Sequence, residues 1–173
     1  KQLLDKINGR DLSKEHWVAM MIDSVHVGNF AVVVALGITA SGKKIVLGLK
    51  QGATEDWQVV RDLFRNLVDR GFKTEHSLLF IIDGAKALRK AINKYFGKDQ
   101  AIQRCTLHKQ RNIMQYLAKK HHPEFKRRFR KLHGHTSFEE AKKDYKTLVR
   151  WLGELNLEAK ASLEEADMET LTV

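Results

Sequence analysis

Two carboxylates in this chain stand where a carboxylate is costly. Asp23 follows the apolar Met20-Met21-Ile22, and Asp83 ends the run Leu79-Phe80-Ile81-Ile82. An ionised side chain in such company needs a cation or several hydrogen-bond donors. If the two strands are neighbours, the acids meet at one sheet edge and repel each other. A divalent ion relieves that repulsion, and all-oxygen ligation suits Mg2+ or Mn2+. Two such ions about 3.5–4 Å apart activate a nucleophile and stabilise a leaving oxygen in phosphoryl transfer. The plainer alternative is that each Asp caps a strand or opens a turn, as Asp83-Gly84 could. Composition and spacing leave both open.

Cys105-Thr106-Leu107-His108 is a second constellation. With His121 and His122 it could complete four zinc ligands, although the segment between lacks the usual hairpin. A core cysteine beside a locally bonded histidine is the simpler account. As nucleophile and base the pair is poorly placed, because i and i+3 across a strand-to-helix junction does not guarantee contact.

Positive charge forms the third feature. The chain carries a formal +10, and the stretch from Gln103 to Lys131 holds ten Lys or Arg against one acid, Glu124. Within it Lys109, Arg111, Lys119, Lys120, Lys126, Arg127, Arg128, Arg130 and Lys131 are candidates for contacts with nucleic-acid phosphates. Phe125 and Phe129 interleave with the bases, which predicts a helix apolar inside and cationic outside. A solvated surface face is the competing account. From Arg150 onward the sign reverses, with six acids facing two bases.

The elements that must position these residues change period midway. Trp17 to Val25, Asn29 to Thr39 and Lys43 to Leu49 read as strands, with Gly28-Asn29 and Ser41-Gly42 as hairpin turns. Trp57, Val60, Phe64, Leu67 and Val68 recur at helical spacing up to Arg70-Gly71. Leu78 to Ile82 is continuously apolar, as in a strand buried on both faces. A helix through Leu88, Ala91, Ile92, Tyr95 and Phe96 follows, then a short strand at Ala101 to Cys105 and a helix from about Lys109 to Ala118. The order β-β-β-α-β-α-β-α is an α/β design with a mixed sheet. Past Pro123 everything reads as helix, with Ser137-Phe138-Glu139-Glu140 as a capping signal. Two parts are expected, a core over residues 1–122 and a helical subdomain over 123–173.

Composition narrows the field. With 173 residues, 43% hydrophobic and 30% charged, the chain can bury a core and is not wholly disordered. One cysteine excludes an intrachain disulfide and fits a reducing compartment. Apolar runs such as Phe30 to Leu36 are too short to span a bilayer, and no phosphate-cradling glycine-rich loop is present.

Several segments together resemble the catalytic core of the mutator-type transposases of bacterial insertion sequences, a branch of the DDE transposases. They are Ile22-Asp23-Ser24, Val34 to Thr39, Val68-Asp69-Arg70-Gly71-Phe72, Phe80 to Leu88, and, most specific, Gln103-Arg104-Cys105-Thr106-Leu107-His108-Lys109 with Arg111-Asn112. Ala161 to Glu165 and Glu169 to Val173 add to the likeness. The resemblance implies a ribonuclease H-like fold, with the strand of Asp23 beside that of Asp83. It implies that these are the first two metal-binding catalytic acids, holding Mg2+ or Mn2+, and that Cys105 and His108 are a signature pair flanking the site. It further implies DNA as partner, both transposon ends and target, in a bacterial cytoplasmic, nucleoid-associated protein that could act as a homodimer, with no membrane involvement. The third acid of that family is a glutamate in an Asn-x-Ile-Glu-Ser type motif. No such motif occurs here, so it is expected beyond Val173, and this chain alone is expected to be an inactive piece of a longer enzyme. Glu154, Glu158, Glu164, Glu165 and Glu169 lack that context and read as solvated helix surface. The alternatives are a nuclease or resolvase on the same fold, or a non-catalytic nucleic-acid-binding domain.

Overall fold

A computed structural model describes residues 2–73 and 78–172. They divide into two compact units, 1–102 and 103–173. Pro123, the expected boundary, lies inside the second unit as an early residue of a helix, where its missing N–H costs nothing. The division falls earlier because Ile113 and Leu117 are buried with the helices that follow.

The first unit opens with a short helix the sequence pattern had not indicated, α1 (Gln2–Asn8), and then forms the expected meander β1 (Trp17–Val27), β2 (Phe30–Thr39) and β3 (Lys44–Gln51). Gly28 (φ 59°) and Gly42 (φ 80°) turn the two hairpins in the left-handed region that favours glycine. Helix α2 (Trp57–Asp69), strand β4 (Leu79–Ile82) and helix α3 (Lys86–Phe96) continue the alternation, and strand β5 (Ala101–Arg104), which completes it, runs across the division at residue 102. The sheet order is β3-β2-β1-β4-β5, antiparallel among the first three strands and parallel between β1 and β4. This five-stranded mixed sheet flanked by helices is the ribonuclease H-like arrangement.

Met20, Ile22, Phe80 and Ile82 bury one sheet face against Phe64 and Leu67 of α2 and Leu88 and Ile92 of α3. Asp56 caps α2, its carboxylate accepting from the amides of Gln58 and Val59. At the other end Gly71 takes φ 85°, and the Phe72 amide returns to the Leu67 carbonyl. Arg70 does more than mark that helix end: its guanidinium donates to the carbonyls of Ile7, Arg10 and Leu47, tying α1 and β3 to α2.

The second unit comprises α4 (Thr106–Gln115), a 3-10 turn at Lys119–His121, α5 (His122–Leu132), α6 (Phe138–Leu155), α7 (Leu157–Glu164) and a 3-10 turn at Asp167–Thr170. Phe125, Phe129, Tyr145, Leu148, Leu152 and Leu163 fill its core. Ser137 is the N-cap of α6, as its sequence context predicts, but its side chain makes no capping bond. Asn156 does cap α7, accepting from the Ala159 amide at 2.8 Å.

Candidate functional site

Strand pairing brings the two aspartates together. The parallel register aligns Met20 with Phe80, Met21 with Ile81 and Ile22 with Ile82, so Asp23 and Asp83 are the next positions on adjacent strands. Strands so paired run about 4.8 Å apart. Side chains alternate along β1, so Asp23 lies on the face opposite buried Ile22, and Asp83 stands one residue beyond buried Ile82. Each is partly buried. Their backbones differ. Asp23 sits inside β1 towards its C-terminal end, opposite Val34 of β2, while Asp83 directly follows the last residue of β4.

Local bonds orient each carboxylate. Asp23 Oδ1 accepts from the Ser24 amide at 2.8 Å. Asp83 Oδ1 accepts from the Ala85 amide at 2.9 Å, and its Oδ2 accepts from the Thr54 hydroxyl at 2.8 Å. Thr54 is fully buried in the loop between β3 and α2. Its sequence context, Ala53-Thr54-Glu55-Asp56, carries only a helix-start signal, so its contact with Asp83 was not legible. Hard oxygen donors on adjacent strands suit a divalent cation such as Mg2+ or Mn2+. Among the described residues, no group of three or more His, Cys, Asp or Glu is placed to hold a metal.

In the second unit Cys105, a free thiol, is the N-cap residue of α4, and His108 lies in that helix's first turn. The helix begins at Thr106 rather than near Lys109, so the pair straddles its start. The four-ligand zinc arrangement is not assembled. His122 directs Nε2 at the carbonyls of Met114 and Leu117, at 3.1 and 3.0 Å, and the ring of His121 meets Trp151 edge-on.

Lys109 departs from its expected role. Its side chain is only 4% exposed, and the ammonium donates to the Ser162 carbonyl at 2.7 Å and to Glu165 at 2.8 Å. Buried Arg104 grips the same carboxylate with both terminal nitrogens, at 2.8 and 2.9 Å. Glu165 is therefore not a merely solvated helix residue. The Arg104 guanidinium, then the Lys109 ammonium, hold its carboxyl down at about 2. Lys109 joins α4 to α7 and does not belong to the open basic surface.

The other bases fall into two groups. Arg111, Lys119, Lys120, Lys126 and Arg130 are exposed and make no ion pair among the described residues. Arg127 and Arg128 share Glu124, whose carboxyl they hold at about 2, and Arg128 lies 5.0 Å from the centroid of Trp151. Lys131 pairs with Asp144 at 2.9 Å. Phe125 and Phe129 are buried beneath this surface, the inner face expected of α5. No helix among the described residues is long and apolar enough to cross a membrane.

In sequence the chain is similar to known proteins. A family described as "Transposase, Mutator family" matches residues 5–173. The chain is 32% identical over 120 residues to the transposase for insertion sequence element IS6120 of Mycolicibacterium smegmatis, covering 66% of this chain and 36% of that protein. It is 30% identical over 145 residues to the transposase for insertion sequence element ISRM5 of Rhizobium meliloti (strain 1021), covering 82% and 35%. A third relative, the transposase for insertion sequence element IST2 of Acidithiobacillus ferrooxidans, is 34% identical over 87 residues, or 50% of this chain and 29% of that protein. The chain thus spans about a third of the length of the curated relatives it matches.

Proposed function

The chain belongs to the mutator family of transposases, and on that premise we propose that it is part of the catalytic core of a DNA transposase, with Asp23 and Asp83 as two acids of a DDE-type site. The observation carrying this reading is their placement side by side on β1 and β4, at consecutive positions after an aligned apolar register.

The two carboxylates would hold a divalent ion, Mg2+ or Mn2+, which when bound supplies Lewis-acid activation of the attacking oxygen and relief of charge on the leaving one. The chain's own residues keep the acids in place. The β1–β2 ladder fixes the backbone of Asp23, and Thr54 with the Ala85 amide fixes the carboxylate of Asp83. In the cleavage step, a water oxygen attacks the phosphorus at the element's end. The bond to the 3′ oxygen breaks and a 3′-hydroxyl is released. In strand transfer that hydroxyl attacks a target phosphate and displaces its 3′ oxygen in turn. Arg111, Lys119, Lys120, Lys126 and Arg130 hold phosphates without reading bases, and Arg127, Arg128 and Lys131 add charge from within their ion pairs. A third acid completes the set from outside these 173 residues, so the chain alone is inactive.

The test uses the longer protein that contains this segment, with Mg2+ and duplex DNA carrying the element's ends. Asp83→Asn abolishes cleavage and joining while leaving DNA binding intact. Undiminished cleavage by that variant would refute the proposal, and cleavage without any joined product from the unaltered protein would make the enzyme a nuclease.

A further inference from the structure

The first unit carries a cationic surface of its own, on α3. That helix, Lys86-Ala87-Leu88-Arg89-Lys90-Ala91-Ile92-Asn93-Lys94-Tyr95-Phe96, contains four bases and no acid. Ala87, Leu88, Ala91 and Ile92 are buried, which leaves Lys86, Lys90 and Lys94 exposed at i, i+4 and i+8 along the opposite side. Neighbouring α2 shows the ordinary arrangement: Arg61 is paired with Asp62 at 2.8 Å and Arg65 with Asp69 at 3.7 Å.

The lysines of α3 sit against the helix's own preferences. Like charges at i, i+4 repel, and Lys86 places a cation in the first turn, where the backbone dipole favours an anion. None of the three lysines has an ion pair among the described residues; Lys90 instead lies 4.1 Å from the ring centroid of Trp57, and Lys94 lies 5.7 Å from it. An aromatic face steadies an ammonium without neutralising it. Three cations thus stand in a row, two of them steadied by the ring and none paired with an acid among the described residues.

We infer that Lys86, Lys90 and Lys94, the last two steadied by Trp57, form a contact track for the phosphates of one strand of duplex DNA. Eight residues of helix cover about 12 Å, the axial length of three to four phosphates of one strand. The row starts three residues beyond Asp83, so a strand lying along it begins at the sheet edge that carries the acids. This track rests on the transposase reading and uses none of the basic residues of the second unit.

Fluorescence anisotropy of a labelled 30-base-pair duplex, titrated with the whole chain across 50 to 200 mM NaCl, tests it. Three lost phosphate contacts reduce the slope of log affinity against log salt by about 2.7, so the affinity of the unaltered chain falls about 40-fold more over this range than that of Lys86→Gln/Lys90→Gln/Lys94→Gln. The charge-preserving Lys86→Arg/Lys90→Arg/Lys94→Arg variant keeps the steep slope, and helicity by circular dichroism confirms that both variants fold. If the unaltered chain binds and the Gln variant keeps its slope, the track is refuted and the transposase reading survives. If the unaltered chain does not bind duplex DNA even at 50 mM NaCl, the track falls together with the DNA-contact part of that reading.

Discussion

Replacing Glu165 by Gln tests whether an acid more than half exposed can hold a buried structure together. Its carboxylate accepts from Arg104 and Lys109, whose side chains are 6% and 4% exposed. Gln keeps the shape and one acceptor but removes the charge, leaving two cations shielded from water. Breaking a fully buried pair in this way costs about 3–5 kcal/mol. A carboxyl lowered from 4.5 to about 2 corresponds to about 3.4 kcal/mol at 1.36 kcal/mol per pH unit. Glu165 is 55% exposed, and solvent screening reduces either figure by about half. The expected loss is therefore about 2 kcal/mol at pH 7. The folded-state value lies below the unfolded one, so this stability is fully present above about pH 4.5 and disappears as the pH falls towards 2. Urea unfolding followed by circular dichroism at 222 nm, at pH 7 and pH 3, measures both effects. A Glu165→Gln variant within about 0.5 kcal/mol of the unaltered chain at pH 7 would refute the reasoning. So would a gap that widens on acidification.

Other outcomes follow from contacts on the first unit. Arg70→Met strands the carbonyls of Ile7, Arg10 and Leu47, at a cost of about 2–3 kcal/mol, and hydrogen exchange of the α1 amides should accelerate accordingly. Gly37→Val forces a side chain into the ring of Trp17, whose nearest atom would lie 2.6 Å from the new Cβ; the melting temperature should fall by several degrees. In calorimetric titration with Mn2+, Asp23→Ala/Asp83→Ala loses the binding seen with the unaltered chain, and identical isotherms would show that the two acids do not hold the ion.

The β meander and the place of Asp83 were legible because hydrophobic period and turn residues are local signals. The apolar runs before Asp23 and Asp83 implied strands, and the pairing supplies what no single run contains, their alignment. Charged residues were less transparent. Lys109 and Glu165 are fifty-six positions apart and look like surface groups in sequence; only the packing of α7 on α4 encloses one of them and makes the other its partner. Thr54 escaped notice for the same reason, since a hydroxyl before a helix is an ordinary cap until Asp83 is brought beside it. The lysines of α3 were visible individually but were outweighed by the denser run from Gln103 to Lys131.

The position of Asp23 in mid-strand, beside Ile22, has a consequence for how faithfully the molecule assembles. A slip of β1 by one residue would turn its side chains over. Ile22 and Met20 would face outward, and Asp23 would be driven into the layer that holds Phe80 and Ile82. Desolvating a carboxylate there would make the slipped pairing prohibitively unfavourable. The acid thus proofreads the strand that carries it. A chain that has folded at all has set its two aspartates side by side, and a misaligned core with a scattered site is not a state in which the protein can persist.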